Sequence, residues 1–197
     1  MDGCQVAALR ALLASSGWLE RTAEFARALR RSSRTPGGLL VVGTPDAEPW
    51  HLTAHLDEES RMSGAPELAP TLLRWSPPPD APPHLRMDLT RLDDVRHGET
   101  LFVVGSQAAP EALLERVHSV RKVATILAMD QGDPELELLA HEVLTVRPGT
   151  APVSFDAAQH LVSSAAGAAG AAGESRRAGL RERLGRLLDM VSGPSPG

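Results

Sequence analysis

His51, His55 and Glu59 are spaced by four residues. On a helix this spacing stacks them on one face, one turn apart. Two imidazoles and a carboxylate arranged so can hold one zinc ion and leave the fourth position to water. Such a site needs a ligand from another element, and His160 is the candidate. Two histidines at this spacing are also common on helices that bind no metal, where the face is simply polar and solvated. A second set is Ser106 and Gln107, which follow the apolar run Thr100–Val104 and precede Pro110. At a strand-to-helix turn they can bind an anion or a hydroxyl group, or form a plain turn and N-cap. Asp130-Gln131-Gly132-Asp133 follows the next apolar run. It offers carboxylates to a hydroxyl ligand, but Asp133 before Pro134 has the form of a helix N-cap, which is the reading we favour. Trp50 and Trp75 read as packing or interface residues, and His84, His97, His118 and His141 show no partner in the sequence.

The elements that must position these residues are clearest between Gly98 and Val146. Thr100–Gly105, Val123–Met129 and Glu142–Val146 are short apolar runs. Between them lie an amphipathic segment from Pro110 to His118 and a shorter one from Pro134 to Ala140. Apolar runs alternating with helical patterns predict right-handed βαβ units and a parallel sheet covered on both faces. Upstream, a helix is expected over Gln5–Arg31, with Gly17 able to bend or break it. Leu39–Val42 is a buried strand with Gly43–Pro49 as its exit loop, and a helix runs from Pro49 to about Arg61. Thr71–Trp75 is a short strand beside prolines, which suits an edge. Asp88–Val95 is a short helix or turn. Ser154 can cap a last long helix from Phe155 to about Gly170. The predicted fold is a three-layer α/β/α sandwich with a parallel sheet of Rossmann-type topology. Its ligands belong at the carboxyl ends of the strands.

A single domain is expected over residues 1–173, an amphipathic helix over 174–191 with Leu180, Leu184, Leu187, Leu188 and Val191, and a disordered tail over 192–197. The chain of 197 residues is 42% hydrophobic but only 3% aromatic and has no Tyr, so its core is aliphatic. Its net charge of −5 and lack of a basic patch argue against nucleic acid as a partner. One cysteine, Cys4, excludes a disulfide framework and a multi-cysteine metal site. No run of eighteen apolar residues and no signal-peptide pattern occurs, so a soluble cytoplasmic protein away from membranes is expected.

The order of these pieces resembles the sugar isomerase (SIS) domain family, in particular its phosphoheptose isomerase branch. The resemblance runs from the leading helix to about residue 170. Arg96-His97-Gly98-Glu99-Thr100-Leu101 is similar to the family's lead-in to its next strand, and Leu139–Val146 to its A-D-x-x-I-x-V segment. The two phosphate loops depart from the family's pattern. The first reads Gly43-Thr44-Pro45-Asp46-Ala47, and the second reads Gly105-Ser106-Gln107-Ala108-Ala109-Pro110, where Ser106 is the one hydroxyl left. By the resemblance, Gly43, Thr44, Ser106 and Gln107 are the candidate ligand-binding residues. His55 and Glu59 match the family's His-x-x-x-Glu, which implies Glu59 as proton-transfer base with His55 beside it. It also implies that this pair can sit at a zinc site whose remaining partners, a Gln and a His on the last helix, correspond here to Gln159 and His160, although no cofactor is required. The altered loops point to a diverged, non-catalytic member. It would bind a sugar phosphate or a related small metabolite, or serve as a regulatory or structural subunit. The alternatives are a ketose/aldose phosphosugar isomerase acting through an enediol, and a heteromeric partner of an intact SIS protein. A homo-oligomer, dimer or tetramer, is expected from the same resemblance.

Overall fold

The computed structural model describes residues 17–82 and 85–168. Five parallel strands make one sheet in the order β2-β1-β3-β4-β5. They are β1 (Leu39–Gly43), β2 (Pro70–Leu73), β3 (Thr100–Gly105), β4 (Thr125–Asp130) and β5 (Glu142–Thr145). Leu39 pairs with Pro70 on one side and Thr100 on the other, and Thr100 pairs in turn with Thr125. Every residue of β1 and β3 is buried, which is why these strands read as unbroken apolar runs rather than as alternating ones.

The two sheet faces divide the strand residues by parity. Leu39, Val41, Phe102, Val104, Leu127 and Met129 join one core, together with α1 (Trp18–Ser32), α2 (Trp50–Ser63) and α5 (Phe155–Ala168). Leu40, Val42, Leu101, Val103, Ile126 and Ala128 join the other, with α3 (Glu111–Val120), α4 (Pro134–Leu139) and the 3-10 turn Leu89–Asp94. The expected three-layer sandwich is therefore present, and its βαβ segment from β3 to β5 follows the sequence reading closely. The apolar run before β4 starts earlier than the strand. Val123 and Ala124 donate instead to the Val120 carbonyl and finish the turn out of α3, so pairing begins at Thr125.

Local chemistry explains the element ends. Gly17 holds a positive φ of 65° just before α1, so the described helix starts at Trp18 and residues 1–16 lie outside the description. Gly64, with φ 63°, closes α2, two residues beyond the expected end at Arg61. Pro70 is the first residue of edge strand β2, where its missing N–H breaks no ladder. The Ser154 hydroxyl accepts from Ala157 N at 3.2 Å and starts α5 as expected. The amphipathic segment 174–191 and the tail fall outside the described residues. No helix among the described residues is long and apolar enough to cross a membrane.

Candidate functional site

Between β1 and β3 the strand order reverses direction, β2 lying on one side and β4 and β5 on the other. Ligand crevices in open parallel sheets form at such a switch point, outside the carboxyl ends of the strands. A cleft of about 310 Å3 opens there. Glu48, Trp50 and His51 line it from the start of α2, Ser106 from the loop after β3, and Asp156 and Gln159 from the start of α5. Helices α2 and α5 thus both begin at the cleft, and they pack side by side along their length.

The first wall is braced by ion pairing and stacking. The Glu48 carboxylate accepts from Arg74 Nε at 3.0 Å and from Trp75 N at 3.2 Å. The Arg74 guanidinium lies 4.6 Å from the Trp50 ring centroid, a cation–π contact. Trp75 Nε1 donates to the Gly43 carbonyl at 2.9 Å. The loop after β1 folds back on itself, with Ala47 N donating to Thr44 O at 3.1 Å. A Cβ on Gly43 would stand 2.2 Å from the Ala47 carbonyl oxygen, so this glycine serves the fold-back of its own loop. Thr44 is buried, and its hydroxyl has no hydrogen-bond partner among the described residues.

The loop after β3 is held by a carboxylate of the chain itself. Ala109 N donates to Asp133 Oδ2 at 2.7 Å, while Asp133 Oδ1 accepts from Glu135 N and Leu136 N and caps α4. The favoured reading of Asp133 as a cap holds, and its second oxygen adds a bridge that the sequence did not reveal. Pro110 has no N–H to offer. Of the four candidate ligand-binding residues, Ser106 lines the cleft, Gly43 and Thr44 are buried in the first loop, and Gln107 is exposed outside the lining.

Asp130, at the end of β4, is fully buried. Its Oδ1 accepts from Gly132 N at 2.6 Å and Asp133 N at 3.2 Å, but Oδ2 has no hydrogen-bond partner among the described residues. Burial raises its carboxyl above the ordinary value of 3.8 against the pull of those two N–H groups, and the charges of Glu137 and Asp133 push the same way. Folding therefore takes up a proton, and Asp130 costs stability as pH rises from 3.8 through its folded value. Asp130→Asn keeps the accepting oxygen without the charge. It should be more stable than the wild type at pH 7, by on the order of 1 kcal/mol, because it no longer has to carry a charge in a buried position. Urea unfolding at pH 7 and pH 3.5 should show the gain at the first pH and not at the second.

His51, His55 and Glu59 divide along α2. His51 faces the cleft. The His55 ring meets His160 of α5 edge to face, with centroids 4.1 Å apart. Glu59 lies against Gly167, where an added Cβ would come within 2.0 Å of Glu59 Oε2. Gly167 is thus the residue that lets α5 approach α2. At a rise of about 1.5 Å per residue, Glu59 is roughly 12 Å along the helix from His51. Neither His55 nor Glu59 lines the cleft. Among the described residues no group of three or more His, Cys, Asp or Glu is placed to hold a metal ion. The set His51, His55, Glu59 and His160 is strung along the α2–α5 seam rather than gathered at a point, so among the described residues it does not fit a zinc centre.

Burial holds the His160 imidazole below its ordinary 6.5, and the charges of His55 and His51 add to this, while Asp156 opposes it. The folded state therefore binds the proton less tightly than the unfolded one. The stability from this seam is full above pH 6.5 and is lost as pH falls through the folded value. The melting temperature should drop between pH 7 and pH 5.5, and His160→Gln should flatten that dependence. An unchanged slope in the variant would remove His160 from the account.

Sequence reasoning missed Glu48, Trp50 and Asp156 as cleft residues. The rule that ligands sit at carboxyl strand ends pointed to their loops, but not to which side chains turn inward. It also missed His141, whose Nδ1 accepts from Ile126 N at 2.9 Å and ties the start of β5 to β4.

No protein-family model and no curated protein matches this chain. Its fold does match solved structures that have sugar-isomerase domains among them. A candidate phosphosugar isomerase from Silicibacter pomeroyi superposes over 97% of this chain with a TM-score of 0.60 at 13% identity. This chain spans 55% of that protein's length. The sugar isomerase domain of an RpiR transcription factor from Sphaerobacter thermophilus matches over 86% of both chains, with a TM-score of 0.50 and 15% identity. A candidate sugar-binding protein from Salmonella typhimurium matches over 89% of this chain and 57% of its own, with a TM-score of 0.50 and 14% identity. The α/β fold expected from the order of the sequence elements is the fold of these proteins.

Proposed function

We propose that this chain is a non-catalytic domain of the sugar isomerase fold that binds a sugar-derived metabolite in the β1/β3 cleft and acts as a regulatory or structural subunit. The observation that carries this reading is the position of His55 and Glu59. An enediol isomerase needs its base within hydrogen-bond reach of the substrate carbon's proton. Here both residues lie in the α2–α5 seam, outside the cleft lining. A sugar isomerase domain occurs within a transcription factor in the Sphaerobacter protein, which supports a regulatory role for this chain. A homo-oligomer is part of this proposal, as the resemblance to sugar isomerase domains implies.

The test is an isomerisation assay with sedoheptulose 7-phosphate and fructose 6-phosphate, run on the wild type and on Glu59→Gln. The wild type should give no turnover above the buffer blank. Turnover that is lost in Glu59→Gln would establish the isomerase instead. Light scattering of the purified protein reads the oligomer directly, and a monomer at all concentrations would remove that part of the proposal.

A further inference from the structure

We propose that the cleft takes an unphosphorylated sugar or polyol, seated on the Trp50 ring and held through its hydroxyl groups by His51, Asp156 and Gln159. This rests on the metabolite-binding reading above and adds the chemical class of the ligand.

The charge of the cleft argues first. A phosphate dianion needs positive potential and donors that are free to turn toward it. Among the described residues no Lys or Arg lines this cleft, whereas Glu48 and Asp156 do. The Arg74 guanidinium, which contacts two of the lining residues, is already committed, bonded to Glu48 and stacked on Trp50. In the loop after β3, the Ala109 N–H is taken by Asp133, and Pro110 has none. The Gln107 carbonyl oxygen turns back to 3.1 Å from where a Gly105 Cβ would stand. The loop after β1 likewise spends its Ala47 N–H on Thr44. A phosphate placed here would meet the Asp156 carboxylate with no Lys or Arg among the described lining residues to offset it.

The same groups suit hydroxyls. Asp156 is an acceptor, and Gln159, whose Nε2 donates to Asp156 Oδ1 at 3.2 Å, still has an amide oxygen and a second N–H. His51 and Ser106 can each donate or accept. Vicinal hydroxyls present donors and acceptors in alternation, and this set answers both. Trp50 supplies the broad apolar surface that the C–H face of a sugar ring requires. It is 39% exposed, and Arg74 against one face fixes the plane of the ring. A volume of about 310 Å3 is enough for one monosaccharide and its water, and lies at the small end of ligand pockets.

The test is calorimetric titration of the full-length protein with matched pairs: glucose, fructose, sedoheptulose, N-acetylglucosamine and sorbitol, each against its own terminal phosphate. The expected result is at least one unphosphorylated member that binds about tenfold or more tighter than its phosphate. Trp50→Ala and, separately, Gln159→Leu should each weaken that binding by about tenfold, with the melting temperature of the free protein recorded for both. Phosphates that bind as well or better in every pair would overturn the inference and leave metabolite binding standing. No binding in any pair would overturn both, and leave the structural-subunit role alone. Binding that neither substitution weakens would also overturn the inference, since the ligand would then sit elsewhere.

Discussion

Asp133→Ala should destabilise the protein by about 2–3 kcal/mol and lower its melting temperature by roughly 5–10 °C. The estimate has two parts. Loss of an N-cap costs about 1 kcal/mol, here at α4, whose Glu135 and Leu136 N–H groups bond to Asp133 Oδ1. Loss of the 2.7 Å bond from Ala109 N leaves a half-buried donor unsatisfied, for another 1–2 kcal/mol or so. For a chain of this size each kcal/mol shifts the midpoint by about 2–4 °C. Asp133→Asn separates the parts. Its amide oxygen can still cap α4, but its amide nitrogen cannot accept from Ala109. It should recover about half of the loss in chemical denaturation. Full recovery would mean that the bridge between the two loops contributes nothing.

Phe102→Ala should cost more, about 3–5 kcal/mol, which is a large share of the roughly 5–15 kcal/mol that holds a domain together. Phe102 is fully buried in central strand β3. Its ring centroid lies 5.5 Å from that of Phe25, at a tilt of 54°, so it joins the sheet to α1. The chain has three phenylalanines, and the core around this pair is Leu, Val and Ala. Short aliphatic side chains cannot swing in to fill the space of a missing ring. Phe102→Leu should lose only about 1–2 kcal/mol. Equal losses for Ala and Leu, measured by urea titration, would show that the ring's shape matters here and its volume does not.

The strands and most helices were legible in the sequence because their signals are local. Thr100–Gly105 is apolar throughout since both of its faces are covered, and Asp133-Pro134 marks a helix start without reference to anything distant. The site was legible in type and not in grouping. Four-residue spacing put His51, His55 and Glu59 on one face of α2, as expected. That face, however, spans two turns of helix, and the cleft reaches only the first of its three residues. What Glu59 meets depends on Gly167 of α5, and what the loop after β3 can bind depends on Asp133 at the head of α4. Contacts of this kind are fixed by how the layers meet, and no spacing along the chain records them.

The strand order also sets a timetable for folding. β1 lies between β2 and β3, and its register runs from Leu39 against Pro70 to Leu39 against Thr100. During synthesis its second edge cannot be closed until α2, β2 and the proline-rich connection to β3 have all been made. Until then the apolar row Leu39–Val42 has one open side, the state in which strands are caught by other chains. From β3 onward each new strand pairs with the one just before it, so the later half closes as it appears. The ribosome-bound chain is most vulnerable to aggregation before residue 100 emerges, and the arrival of β3 completes the sheet at the switch point where the cleft opens.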